Sequence, residues 1–97
     1  MKEKSKKAVG IKLCCNGEAD ILTFKNKKVS LTEMQNVVNG HIEIIYLSNE
    51  AVLILNEEGK LNNLPFNELA TYLLKSATFN NDYIVGDVLL IHNKYIE

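Results

Sequence analysis

Five consecutive apolar residues, Ala51-Val52-Leu53-Ile54-Leu55, constrain this chain more than any other feature. Neighbouring side chains of a strand point to opposite faces, so a strand that is apolar at every position belongs in the middle of a sheet. The preceding run, His41 to Leu47, places Ile42, Ile44 and Tyr46 on one face and Glu43, Ile45 and Leu47 on the other. Ser48-Asn49-Glu50 separates the two runs and predicts a hairpin. A second hairpin is predicted further upstream. Ala8 to Cys15 and Glu18 to Lys25 flank Asn16-Gly17, a type I′ turn signal.

Two segments switch to helical spacing. Ser30-Leu31-Thr32-Glu33 is a capping box, and Leu31, Met34, Val37 and Val38 follow at helical intervals up to a stop at Gly40. The second helix is predicted to begin near Phe66, with Pro65 in its first turn and Leu69, Tyr72 and Leu73 forming its apolar stripe. Ser76 to Asp82 reads as a loop and Tyr83 to His92 as the last strand, where Gly86 marks a bulge or a close backbone approach. The order β-β-α-β-β-α-β predicts an α+β fold: an antiparallel or mixed five-stranded sheet with two helices on one face. Ile45 and Leu47 then leave apolar surface uncovered, which predicts a homo-oligomer. Residues 1–6 read as a disordered basic tail and residues 7–97 as one domain.

Composition excludes several classes of function. No apolar run approaches the roughly 20 residues that span a bilayer, so no membrane partner is expected. Met1 to Lys7 lacks the apolar segment of a signal peptide, which predicts a cytoplasmic protein. Residues 1–40 carry eight lysines against four acids, and residues 41–97 carry three lysines against eight acids. The chain has no arginine, which argues against nucleic acid as a partner. A net charge of −1 argues against a DNA mimic. Cys14 and Cys15 are adjacent, a poor geometry for a mutual disulfide or a zinc site, and read as reduced thiols, one facing the core and one facing out. His41 and His92 read as ordinary strand-end histidines. No nucleophile, metal set or cofactor motif stands out, so no enzyme, metal or cofactor is expected.

The densest polar segment is Asn56-Glu57-Glu58-Gly59-Lys60, followed by Leu64-Pro65-Phe66-Asn67. Gly59 reads as a turn residue at positive φ, and Pro65 as a helix start. Asn56, Lys60 and Asn67 have no such backbone role in this reading, which makes them the leading ligand-binding residues. Lys60 would neutralise an anion, Asn56 and Asn67 would read polar edges, and the N-terminus of the second helix would add free N–H donors. Glu57 lies in the same segment, and Thr71 lies one turn beyond Asn67. Gln35 and Glu43 are second-tier candidates, and Tyr46, Tyr72 and Tyr83 read as core or interface tyrosines, with stacking on a base as the alternative.

The run Asn56 to Lys60, with Leu64-Pro65, Asn67, Ala70-Thr71 and Ile84-Val85-Gly86-Asp87-Val88, carries a resemblance, joined upstream by Glu33-Met34-Gln35, Val38 and Gly40 to Glu43. Over roughly residues 8–92 the chain resembles a family of small domains of unknown function, widespread in bacteriophages, mobile elements and their bacterial hosts. The resemblance implies a counter-defence protein in the bacterial cytoplasm. The expected function is sequestration of a small anionic, nucleotide-like ligand by a non-enzymatic homo-oligomer. The alternative is an adaptor or inhibitor that binds a host defence protein.

Overall fold

The computed structural model describes residues 6–96, so most of the predicted basic tail, residues 1–5, lies outside the described residues, as does Glu97. The element order is the predicted one: β1 (Val9–Leu13), β2 (Ala19–Thr23), α1 (Leu31–Val38), β3 (Ile42–Tyr46), β4 (Ala51–Asn56), α2 (Glu68–Ala77) and β5 (Val88–His92). A short 3-10 turn, Asn93–Tyr95, follows β5. The five strands form one sheet in the order β2-β1-β5-β4-β3, with every neighbouring pair antiparallel.

Local chemistry sets the ends of these elements. The first hairpin is not a type I′ turn. Gly17 N–H donates to the Cys14 carbonyl, Cys14 N–H donates to the Glu18 carbonyl, and of the loop residues only Gly17 has positive φ (93°). That is a three-residue loop, a turn closed by one left-handed residue. The capping box is present: Ser30 Oγ accepts from Glu33 N–H, and the Glu33 carboxylate accepts from Ser30 N–H. The bond from Ser30 N–H, with one from the Ser30 hydroxyl, holds the Glu33 carboxyl below its ordinary range. Helix α1 ends on Asn39 in the left-handed conformation (φ 63°), one residue ahead of the predicted stop at Gly40. Helix α2 has Asn67 as its N-cap, so Pro65 lies ahead of the helix rather than in its first turn. The last strand is half as long as predicted. Val85 makes an isolated bridge to Phe66, and Gly86 turns the chain at φ 80°.

The two helices lie on opposite faces of the sheet, which corrects the expectation of one face. Met34 and Val38 of α1 pack with Val52, Ile54, Leu89 and Ile91. Ala70 and Leu74 of α2 pack with Leu53, Leu55, Val88 and Leu13. The alternation of β4 explains this directly, because its odd and even residues each need a cover. Leu53, Ile54 and Leu89 are fully buried, and a side chain of this kind contributes about 1.5–3 kcal/mol when removed from water. Ile45 and Leu47 pack against the α2 cluster. These two side chains are thus covered within the chain rather than left for a second copy to cover.

Candidate functional site

The polar segment after β4 folds into a corner between the sheet and α2. Gly59 N–H donates to the Asn56 carbonyl, Asn63 N–H to Lys60, and Leu64 N–H back to Gly59. The left-handed residue of this turn is Asn63 (φ 56°), not Gly59. Glycine is needed at 59 for another reason: a Cβ there would lie 2.8 Å from Val85 Cγ2.

Asn56 and Asn67 both hold backbone. Asn56 is in phase with Val52 and Ile54, so its side chain enters the α1 side of the sheet. Its Nδ2 donates to the Val38 and Asn39 carbonyls (3.1 and 3.3 Å), and its Oδ1 accepts from Glu58 N–H at 2.8 Å. The end of α1 is thereby tied to the end of β4, and Gly40 leaves room for the amide, since a Cβ there would sit 2.6 Å from Asn56 Nδ2. Asn67 is fully buried. Its Nδ2 donates to Leu13 and Gly86 carbonyls at 2.9 and 2.8 Å, and its Oδ1 accepts from Ala70 N–H at 3.0 Å. Thr71 Oγ1 accepts from Ile84 N–H at 2.9 Å. All three side chains were expected to face a ligand, and all three instead satisfy buried backbone groups that would otherwise be costly.

The charged residues remain at the surface. Lys60 Nζ donates to Asp82 Oδ1 at 2.5 Å and lies 4.1 Å from the centre of the Tyr83 ring. The Asp82 hydrogen bond holds Lys60 above the usual lysine range, and the same bond holds Asp82 below the usual carboxylate range. Tyr83 in turn faces Phe66, with ring centres 6.4 Å apart. Glu43 from β3 and Glu57 from the turn complete the rim of a pocket of about 100 Å³ whose floor includes Ile45, Leu55, Leu74, Ile84 and Val85. The rim holds three carboxylates, Glu43, Glu57 and Asp82, against the single ammonium of Lys60.

The structure therefore brings together Glu43, Glu57 and Lys60 from the expected set, with Asn56 contributing to the wall. Gln35 lies elsewhere, in an open depression with Asn36, Asn39, Gly40 and His41. Asp82 and Phe66 were not anticipated as site residues. Asp82 is 22 positions from Lys60, beyond any local pattern, and its placement depends on the loop after α2. Tyr83, for which base stacking was the alternative reading, has the Lys60 ammonium over its ring.

Other chemistry-bearing side chains have structural partners. His92 Nδ1 accepts from Lys94 N–H at 3.0 Å. Both cysteines are free and half-buried, which replaces the expected split between core and solvent. Cys15 sits in the hairpin loop, where its N–H donates to Asp87 Oδ1 and its thiol to the Pro65 carbonyl. Burial, with the Asp87 charge nearby, pushes both thiols above their ordinary pKa. Among the described residues no cluster of three or more His, Cys, Asp or Glu is arranged to hold a metal ion. No helix there is long and apolar enough to cross a membrane.

These features define a class: a small domain with one antiparallel sheet between two helices and a charged pocket at the sheet corner. The chain matches, over residues 11–96, the family described as a domain of unknown function (DUF3846), and it belongs to that family. No curated protein and no solved structure gives a significant match.

Proposed function

We propose that this domain is a binding module whose corner pocket receives a basic side chain of a partner protein. The observation that carries this reading is the pocket's composition: with Lys60 and Asp82 paired to each other, two carboxylates, Glu43 and Glu57, stand unbalanced above an aliphatic floor. A lysine or arginine side chain joins a hydrocarbon stem to a charged head. The stem matches Ile45 and Leu55, and the head matches Glu43 and Glu57. A pocket of about 100 Å³ is small beside the roughly 300–1,000 Å³ of typical small-molecule sites. That suits one side chain better than a nucleotide. Phe66 and Tyr83 are each about half exposed beside it and offer the kind of aromatic contact that often dominates interface energetics.

This supports the protein-binding alternative over sequestration of an anionic nucleotide-like ligand, because a phosphate at this rim would meet carboxylates with the one lysine already engaged. In the phage and mobile-element setting implied by the resemblance, the partner would be a basic surface of a host defence protein. No step of the reading calls for a reaction. The test is a binding panel: short peptides bearing lysine or arginine between apolar residues, the same peptides with glutamate, and cyclic dinucleotides. Basic peptides should bind, and the double variant Glu43→Gln, Glu57→Gln should weaken them about tenfold or more, the scale of losing one charge-assisted hydrogen bond. Thermal stabilisation by a cyclic dinucleotide, with no response to any basic peptide, would overturn the reading in favour of sequestration.

A further inference from the structure

Strand β3 is one edge of the sheet, and its backbone is oriented for a partner. Leu47 N–H donates to the Ala51 carbonyl, and Glu57 N–H donates to the His41 carbonyl. These bonds mark His41/Glu57 and Leu47/Ala51 as hydrogen-bonded pairs of the β3–β4 ladder. Antiparallel ladders alternate such pairs with non-bonded ones. The N–H and C=O groups of Ile42, Ile44 and Tyr46 consequently point away from β4, toward the open edge. Natural edges are commonly protected by lysine, proline or a bulge. Ile42–Tyr46 has none of these, and it runs in unbroken register with Val52 to Asn56.

We infer that β3 pairs antiparallel with β3 of a second copy, about a two-fold axis through Ile44, extending the sheet across both chains. The sequence Ile42-Glu43-Ile44-Ile45-Tyr46 is self-complementary in that register. Ile44 meets Ile44, Ile42 meets Tyr46, and each of these pairs uses the outward backbone groups. Ile44 is 37% and Tyr46 62% exposed in the single chain, and in the pair they form one apolar stripe on the α1 face. The only charge, Glu43, meets Ile45 of the second copy, so no like charges are opposed. A two-fold contact closes on itself and does not propagate. The other edge, β2, serves less well. Its outward residues are Ala19, Ile21 and Thr23, and self-pairing there would join one isoleucine pair and two small pairs.

The test uses the full chain. Sedimentation and light scattering should give a concentration-dependent species at twice the chain mass of 10.9 kDa. Backbone amides of Ile42, Ile44 and Tyr46 should gain hydrogen-exchange protection as that species forms. Ile44→Lys, which sets two ammonium groups on the axis, should return the protein to the single-chain mass. Ile44→Pro should do the same, since the N–H it removes is not part of the β4 ladder. Ile21→Lys should leave the dimer intact. A wild-type chain of single mass at every concentration, with fast exchange at those three amides, would overturn the inference. So would a dimer that persists in a folded Ile44→Lys chain, or one lost in Ile21→Lys alone.

Discussion

Replacing Asn67 with alanine should cost this domain a large share of its stability while leaving the charged pocket chemically unchanged. Asn67 is fully buried and makes three side-chain bonds, two donated to Leu13 and Gly86 carbonyls and one accepted from Ala70 N–H. Loss of an N-cap side chain costs about 1 kcal/mol. Each buried carbonyl left without its donor adds about 1–3 kcal/mol, so the sum lies at about 3–5 kcal/mol after partial relaxation. A domain of this length has roughly 5–15 kcal/mol in total. At about 4–8 °C per kcal/mol, the melting temperature should fall by at least about 12 °C. Asn67→Asp keeps the cap acceptor but loses both donors and faces a carboxylate toward two carbonyls, so it should be no better than alanine. Urea unfolding followed by circular dichroism gives the number. A loss below about 1 kcal/mol for Asn67→Ala would refute the structural role and return Asn67 to the ligand-reading role first expected of it.

Three further outcomes follow from the same structure. Gly86→Ala should destabilise by about 1–3 kcal/mol, because φ is 80° and the added Cβ would lie 2.8 Å from Leu64 Cδ1; chemical denaturation measures it. Both thiols should alkylate more slowly than an unfolded cysteine at about pH 8, and Asp87→Asn should speed Cys15 by removing the nearby negative charge; mass spectrometry over time reads both. Asp82 is held below its ordinary pKa, so its ion-pair contribution is present above about pH 4 and is lost as pH falls through the depressed value. Lys60 is held above its ordinary pKa, so its contribution is complete below about pH 10 and is lost above the raised value. Both are exposed, so melts of wild type and Asp82→Asn should differ by a small constant margin between about pH 5 and about pH 9 and converge in acid.

Much of the fold was legible because it rests on local rules. The capping box at Ser30 and Glu33, the apolar spacing of α1, the paired strands on either side of Ser48-Asn49-Glu50 and the interior place of β4, next to the central β5, all came from short-range patterns. The face taken by each helix did not. The β4–α2–β5 connection joins neighbouring antiparallel strands, and no residue in it marks one face over the other. The unbroken apolar run of β4 did carry a signal, since two covered faces need two covers.

The candidate site divided along the same line. Lys60, Glu57 and Glu43 share a pocket with Asn56 in its wall, and the backbone role of both asparagines was the part not read from the sequence. Asn56 extends the alternation of Val52 and Ile54 into the α1 core, and Asn67 stands three residues before Ala70 at N-cap spacing. Both signals were present in the sequence. The Lys60–Asp82 pair was not, because it depends on where the loop after α2 returns.

The central claim is that the corner is an acidic receptor for a basic side chain, built on asparagines that hold the backbone. The most direct measurement is a two-dimensional amide NMR titration of the isotope-labelled protein with a lysine-bearing peptide. Shifts should concentrate at Glu43, Leu55, Glu57 and Tyr83 and be absent with the glutamate-bearing peptide. Shifts confined to Gln35, Asn39 and His41, or a response to the acidic peptide instead, would contradict it.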